Sequence, residues 1–287
     1  MKRTNLLLGT LILGIALISC KKDDENVIPP NLMVKIRFDS SLDRLDNFGQ
    51  PVGVGADNAA QSPVAHSFSA HYIELAPNAY TQLQDGEVIF VGEETTAGGA
   101  QAVDWQKAKV VGNDDLFAAI PLSAITPGTY EWIRVSLTYQ NGDITVRESG
   151  QNYTGRLASF VGYNTYITSH TVNTQTLNVN GNRAQGYWAF ETFGIVVDGQ
   201  APGTTVPNPL ASTSPIPPGS CVVTGEFPTP LTITGEETED ITLYLNFSTN
   251  NSFEWYDANS PDGLYEPSAG DTAVDMGLRG LFPTYEK

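Results

Sequence analysis

The chain has 287 residues and carries 32 acidic against 15 basic side chains, a formal net charge of -17 at pH 7. Such a surface repels phosphate backbones, and no basic stripe opposes the repulsion, so we exclude nucleic acid as a partner. Two cysteines supply no disulfide framework, and stability must come from an ordinary core, which a chain of this length can bury.

The N-terminal residues have the pattern of a signal peptide. A basic start precedes an apolar run at 6–18, which is shorter than the roughly 20 helical residues that span a bilayer core. The tetrad Leu-Ile-Ser-Cys at 17–20 resembles the lipobox of bacterial lipoproteins, which directs lipid transfer to the cysteine. We therefore expect removal of residues 1–19 and acylation of Cys20, with palmitate among the acyl chains, to attach the chain to the outer membrane.

A charged segment follows this cysteine. It must be solvated because nothing apolar surrounds it, and residues 20–31 are predicted to form a flexible tether. Lysine followed by acidic residues resembles the surface-export signal of Bacteroidetes-type lipoproteins, which implies display at the cell surface; a plain spacer is the alternative. The residues of this segment are Lys21, Lys22, Asp23, Asp24 and Glu25.

Residues 32–287 are predicted to form one all-β domain, an antiparallel β-sandwich. Short β-branched and aromatic runs separated by Gly, Asn, Asp and Pro recur along the chain, and helical periodicity is hard to find. The predicted strands are 32–38, 68–75, 87–91, 116–120, 131–139, 143–147, 171–179, 187–192, 194–197, 221–227, 231–234 and 241–247.

One predicted turn lies inside this series. Asn141 and Gly142 suit the two left-handed positions of a type I′ turn. That turn would pair Tyr139 with Ile144 and place both side chains on one apolar face, as a half-buried hairpin requires.

A proline-rich stretch interrupts the strands. Six prolines lie between Gly199 and Gly219, which predicts a linker or long exposed loop over 200–219. The part that follows has too few strands to bury a core alone, so we expect it to complete the sheets of the first part. Cys221, beside two valines, is predicted to be a small buried apolar residue.

No catalytic constellation is recognisable. The chain has only three histidines, His66, His71 and His170, and no G-x-S-x-G elbow. His66 and His71 are an odd number of residues apart, so on one continuous strand their side chains would point to opposite faces. This spacing disfavours a simple pair of metal ligands. Paired carboxylates for glycoside hydrolysis cannot be located from composition. We predict a protein without enzymatic activity.

Several short motifs recur in a fixed order along the chain. They are Phe38, Gly-Gln-Pro-Val at 49–52, His-Tyr-Ile-Glu-Leu at 71–75, Pro-Gly-Thr-Tyr at 127–130, Gly-Tyr-Trp-Ala-Phe at 186–190 and Cys-Val-Val-Thr-Gly at 221–225. In this order the motifs resemble the methanobactin-associated, copper-binding MbnP-like proteins over residues 32–250. The resemblance implies a β-sandwich and a copper site with histidine and oxidised tryptophan. Because the histidines of this chain do not follow a matching pattern, no site residue is carried over.

The strongest local metal pattern lies near the C-terminus. Oxygen ligands at alternate positions of a tight loop, with a glycine such as Gly263 at the turn, suit Ca²⁺. The run resembles a D-x-N-x-D-G calcium loop with one extra residue and with Pro261 inside it. The same residues favour Asx turns on their own, which is the alternative. The candidate ligands are Asp257, Asn259, Asp262, Glu266 and Asp271.

Two further patterns bear on glycans. The sequence Asp-Thr-Ala at 271–273 resembles a bacterial O-glycosylation motif with Thr272 as the acceptor. Aromatic side chains in strands either form a stacking platform for sugar rings or belong to the core. The aromatic residues concerned are Trp132, Tyr187, Trp188, Trp255 and Tyr256.

These observations favour a non-catalytic, surface-exposed outer-membrane lipoprotein that binds a protein or glycan partner as an accessory subunit of an outer-membrane complex. One alternative is an extracytoplasmic protein that binds calcium or is associated with copper. Another is a polysaccharide hydrolase. Apart from Ca²⁺, we expect no cofactor.

Overall fold

The computed structural model describes residues 29–201, 221–258, 262–276 and 278–287. Within these ranges the protein is all-β, as predicted, and its few helical residues form short 3-10 turns, so no helix is long and apolar enough to cross a membrane. The strands are β1 (Asn31–Asp39), β2 (Asn58–Gln61), β3 (Val64–Ala76), β4 (Glu87–Val91), β5 (Glu94–Thr95), β6 (Ala102–Asp104), β7 (Leu116–Pro121), β8 (Gly128–Glu148), β9 (Gln151–Phe160), β10 (Asn164–Thr171), β11 (Thr176–Ala184), β12 (Tyr187–Thr192), β13 (Ile195–Gln200), β14 (Cys221–Ile233), β15 (Ile241–Ser248), β16 (Phe253–Tyr256), β17 (Thr272–Met276) and β18 (Leu281–Glu286).

The 21-residue strand β8 organises the largest sheet. One edge of β8 pairs first with β14 and then with β9, while its other edge pairs with β3. The strand order is β13-β12-β9-β8-β3-β4, with β14 beside the first half of β8. Among the described strands, β13 and β4 therefore lie at the two ends of this order, and β14 pairs with β8 alone.

A second sheet, ordered β18-β15-β1-β7, packs against the large one. Alternate residues of β1 and β15 point inward, and Leu32, Val34 and Leu243 are fully buried. They share a core with Ile73 and Val135 of the large sheet. This arrangement confirms the predicted β-sandwich, although β1 and β15 run parallel to each other, as do β6 and β10.

Two smaller sheets cover the other half of the large sheet, one on each face. The sheet β11-β10-β6-β5 encloses an aromatic core with Phe160 and Tyr187. The sheet β17-β16-β2 packs Phe253 and Trp255 against Leu157. The two faces of β9 and β12 are therefore each covered by a different small sheet.

Strands that follow the proline-rich stretch pair with strands that precede it, as β14 does with β8 and β15 with β1. Cys221 is 2% exposed and is a free cysteine, as predicted. Most of the predicted 200–219 loop lies outside the described residues, and so do the signal peptide, Cys20 and the segment Lys21 to Glu25. These assignments stay predictions.

The predicted hairpin at Asn141 and Gly142 is wrong, because β8 continues through both residues. A Cβ on Gly142 would lie 3.0 Å from the carbonyl oxygen of Val64, so the glycine serves the close approach of β3. The strand reverses instead at Ser149 and Gly150, which have φ of 51° and 78° and suit a two-residue hairpin loop.

Two consequences follow for the strands around this hairpin. Predicted strands 131–139 and 143–147 are parts of one strand. Tyr139 and Ile144 lie in different core clusters instead of sharing one face.

The predicted strand 171–179 is only partly right, because residues 172–175 form a turn between β10 and β11 while residues 176–179 belong to β11. The carboxylate of Glu191 on β12 accepts hydrogen bonds from the backbone N–H groups of Asn173, Thr174 and Gln175. This long-range carboxylate fixes the turn, which strand propensity alone does not indicate.

The predicted strands 221–227 and 231–234 form the single strand β14, with a register shift after Glu226.

Candidate functional site

An open cleft of about 370 Å³ lies between the large sheet and the β16–β17 pair. Ile144 of β8 and Leu157 of β9 contribute to its lining from the large sheet, as do Trp188 and Phe190 of β12. Tyr265 faces them from the loop before β17. A concave, largely apolar space of this size is typical of sites that hold a ligand or an anchoring side chain.

Two glycines allow the aromatic side chains of β12 to lie close to the sheet. Gly199 of β13 is paired with Trp188, and a Cβ at Gly199 would lie 2.7 Å from the indole. A Cβ at Gly155 of β9 would overlap the ring of Phe190. Because alternate residues of a strand face opposite sides, Trp188 and Phe190 face the cleft while Tyr187 faces the core on the other side.

This packing makes Gly155→Ala a test of the cleft geometry. The added methyl group must displace the Phe190 ring, and we expect a loss of about 1–3 kcal/mol in the free energy of unfolding from overpacking. Urea denaturation measures the change. The matched control is Gly53→Ala, where a Cβ would meet nothing within 4 Å. Equal stability of the two variants would contradict this geometry.

The apolar lining continues out of the cleft along the edge strand β13. Val197, Ile195 and Phe193 are 51%, 67% and 78% exposed, and we call these three residues the apolar stripe. Val197 lines the cleft and pairs with Phe190, so Ile195, two residues away, points to the same face. Phe193 sits in the β12–β13 turn with φ of 51° and packs on Tyr153 with ring centroids 5.2 Å apart.

The predicted calcium loop forms the border of the cleft, and its two best-buried carboxylates are bonded to backbone. Asp257 is 6% exposed, and its Oδ2 accepts from the N–H groups of Asp262 at 3.0 Å and Gly263 at 2.8 Å. The Asp271 carboxylate accepts from the N–H groups of Ala258 at 2.9 Å and a second loop residue at 2.6 Å. These bonds join residues 5 to 13 positions apart, so they are not the Asx turns that the sequence offered as the alternative.

The other predicted ligands have separate partners. Asp262 Oδ1 accepts from the N–H of Leu264 at 2.9 Å, and Glu266 Oε1 lies 3.1 Å from Arg147 Nε. Asn259 lies outside the described residues. Within the described ranges, no three His, Cys, Asp or Glu side chains are grouped so that they could hold a metal ion. Calcium binding by this loop stays a prediction, as does glycosylation of Thr272, an exposed residue that lines the cleft.

The three histidines have different surroundings. His66 is exposed, with Nε2 2.8 Å from Asp143 Oδ2. His71 is buried, and desolvation lowers its pKa to about 4. His170 is buried and packs on Phe160 and Tyr187 of the aromatic core. Its Nε2 lies 3.5 Å from the Tyr187 hydroxyl oxygen. Desolvation lowers the pKa of His170 to about 4 as well, so both buried imidazoles are neutral at pH 7.

Of the aromatic residues considered for a sugar-stacking platform, Trp188 lines the cleft. Trp255 is 1% exposed and belongs to the core, and Tyr187 is buried on the opposite face. Tyr256 is half exposed, while Trp132 is partly buried on the first half of β8. A platform of all five residues is therefore not assembled.

Sequence reasoning missed Phe190, Val197 and Tyr265 as cleft residues. The alternation along 187–192 could have placed Phe190 beside Trp188 on one face. Tyr265 has no such signal, because its place depends on packing against Phe253 and Trp255 at centroid distances of 4.9 and 5.4 Å.

Comparison of the chain with protein-family models, with curated proteins and with solved structures finds no match.

Proposed function

We propose that the chain is a non-catalytic, surface-exposed outer-membrane lipoprotein that binds a partner protein through the cleft, as an accessory subunit of an outer-membrane complex. The observation that carries this proposal is the continuity of the cleft with the apolar stripe of Phe193, Ile195 and Val197. Contiguous exposed apolar surface on a soluble domain marks an interaction site, and a cavity next to it can receive an anchoring side chain.

The chemistry of the lining favours a protein over a glycan. Among the described lining residues, Asp271 and Thr272 are the polar ones apart from the aromatic Trp188 and Tyr265. The Asp271 carboxylate is already occupied by backbone N–H groups. A sugar ring buried here would leave hydroxyl groups unpaired, at a cost of about 1–3 kcal/mol each. An apolar or aromatic side chain has no such cost.

The anchored location is supported by the sequence. The lipobox that ends at Cys20 and the charged segment Lys21 to Glu25 imply a lipid-anchored protein in the outer leaflet. A tether of residues 20–31 would hold the folded domain close to the membrane surface, where a subunit of a membrane complex meets its partners.

The test replaces two residues of the apolar stripe, Ile195→Asp and Val197→Asp together. The full-length tagged protein is cross-linked, purified from solubilised outer membranes and compared with wild type for co-purifying protein. We expect at least about a tenfold loss of partner, because charges would face the desolvated centre of the interface.

Val91→Asp is the matched control, since Val91 is 65% exposed on β4 at the opposite edge of the same sheet. An equal yield of partner from the double variant and wild type would contradict the protein-binding proposal. On a glycan array, binding of wild type that is lost in Trp188→Ala would instead establish a glycan as the ligand of the cleft.

A further inference from the structure

Strand β13, which carries part of the apolar stripe, is paired on one side. It pairs with β12 along its whole length, from Ile195 opposite Thr192 to Gln200 opposite Tyr187. No described strand pairs with its other side. A strand in this position presents a row of backbone N–H and carbonyl groups to which another strand can bind.

The two ends of the β12–β13 hairpin establish which backbone groups face outward. Its loop consists of Phe193 and Gly194, with φ of 51° and 73°, as in a type I′ turn, and the residue pair that closes such a loop is hydrogen-bonded. At the other end, the N–H of Ala201 donates to the carbonyl oxygen of Gly186 at 2.9 Å. Because bonded and non-bonded pairs alternate along an antiparallel ladder, the odd-numbered residues of β13 bond to β12. The residues whose N–H and carbonyl groups point away from β12 are Val196, Asp198 and Gln200.

β13 also lacks features by which edge strands avoid pairing with other chains. Prolines, lysines and register shifts are such features. The sequence of β13, Ile-Val-Val-Asp-Gly-Gln, has no proline or lysine, and its register with β12 has no shift. By contrast, the pairing of β3 with β4 shifts between Ile73 and Glu74, and β18, at the end of the second sheet, contains Pro283. The end strand beside the cleft is therefore suited to accept a further strand.

We propose that an extended segment of the partner protein adds as a strand to the free side of β13. Its backbone would bond to the outward-facing groups, and its apolar side chains, at alternate positions, would cover Ile195 and Val197 beside the cleft. The inference rests on the proposed function and specifies how the partner binds.

Charge favours a different protein over a second copy of this chain. Each chain has a formal net charge of -17, so two copies repel each other. Exposed Asp198 lies on the face of β13 opposite Ile195 and Val197, where its carboxylate accepts a hydrogen bond from the Tyr187 hydroxyl at 2.9 Å. A segment with neutral or basic side chains on that face is compatible with this charge. The expected segment therefore alternates apolar residues with neutral or basic ones.

The experiment uses a defined probe, so it does not depend on identification of the partner. The probe is a short fluorescent peptide, acetylated and amidated, in which valine and lysine alternate. Its binding to the full-length protein in detergent is measured by fluorescence anisotropy. The same peptide with its backbone amides N-methylated keeps the side chains and loses the donors. We expect the N-methylated peptide to bind at least about tenfold more weakly, the effect of a few lost hydrogen bonds.

Two variants of one residue separate the backbone from the side chain. Asp198→Ala removes the carboxylate and keeps the outward N–H, whereas Asp198→Pro removes both and places a ring on the free side of β13. We expect Asp198→Ala to bind the peptide within about threefold of wild type, because one exposed charge contributes little. Asp198→Pro should bind at least about tenfold more weakly than Asp198→Ala. The N-methylated peptide keeps the test valid if Asp198→Pro does not fold.

Three results would overturn strand addition by a partner. They are absence of binding of the alternating peptide to wild type, equal affinity for the two peptides, and equal affinity of the folded Asp198→Pro and Asp198→Ala variants. A dimer of the wild-type chain in sedimentation that Asp198→Pro dissociates would assign this edge to a second copy instead. Failure of the proposed function is distinguishable, because it appears as partner capture that is insensitive to Ile195→Asp and Val197→Asp.

Discussion

Replacement of Glu254 by alanine is expected to lower the free energy of unfolding by about 3–5 kcal/mol, because it leaves buried positive charge without its counter-ion. Glu254 is 5% exposed and forms an ion pair with Arg44, which is 8% exposed. The carboxylate also accepts from Asn58 Nδ2 at 2.6 Å and from the N–H of Gly55 at 3.0 Å. These bonds join β16 to β2 and to the segment that precedes β2.

The same carboxylate predicts a dependence of stability on pH. Burial acts to raise the pKa of Glu254, but donors from Asn58, Gly55 and Arg44 outweigh burial and hold the pKa below its ordinary value of 4.5. A group whose pKa is depressed by folding contributes its full stability above the pKa of the unfolded chain and loses it as the pH falls through the native pKa.

Urea denaturation at neutral pH and below pH 4 measures both effects of Glu254→Ala. We expect the difference between wild type and variant to be large at neutral pH and to shrink in acid. Glu131→Ala, at an exposed position of β8, is the control and should change stability by less than about 0.5 kcal/mol. A loss below 1 kcal/mol, or a loss that does not change with pH, would contradict the role of this ion pair.

Trp255→Ala should have an effect of similar size, about 3–5 kcal/mol, because it opens a large cavity in the core beneath the cleft. Trp255 is 1% exposed, and its ring lies 5.7 Å from that of Phe253 and 5.4 Å from that of Tyr265. Loss of the indole would remove support from the Tyr265 wall of the cleft, so we also expect weaker binding of partner.

Trp255→Phe is the matched comparison. Within the described residues the indole Nε1 has no hydrogen-bond partner, so a phenyl ring removes an unpaired buried donor and keeps most of the packing. We therefore expect Trp255→Phe to retain most of the stability that Trp255→Ala loses. Similar losses in both variants, measured by chemical denaturation, would show that the cavity account is wrong.

The sequence is sufficient to predict strands in which buried and less buried side chains alternate regularly. β1 and β15 are examples, because Val34 and Leu243 belong to regular inward-facing series that local reading detects. β9 was missed because its first half, around Gln151 and Asn152, is polar and exposed, whereas Leu157 to Phe160 are buried by sheets distant in sequence.

The residue types Asn141 and Gly142 predict a turn, but in the structure both residues make contacts with segments that are distant in sequence. The Asn141 amide donates to the Tyr139 hydroxyl and to the Val172 carbonyl, each at 2.9 Å. Gly142 admits the backbone of β3. Neither requirement is visible in the residues next to them, and tertiary contacts decide between strand and turn.

The candidate site could be predicted only in fragments. Trp188 was considered for ligand binding and lies in the cleft, and Asp271 and Thr272 were singled out for other roles. The cleft itself combines residues from β8, β9, β12, β13 and the β16–β17 region. Its shape depends on how Gly155 and Gly199 admit aromatic rings, which requires the strand register.

Site-specific photo-crosslinking in intact cells tests the central claim most directly, that a partner protein binds at the cleft on the cell surface. A photoreactive amino acid is placed in the full-length chain at Val197, at the mouth of the cleft, or at Val91 on the opposite edge of the sheet. We predict one discrete protein adduct at Val197 that is absent at Val91 and is lost when Trp188→Ala is added. No protein adduct at Val197, or the same adducts at both positions, would contradict the claim.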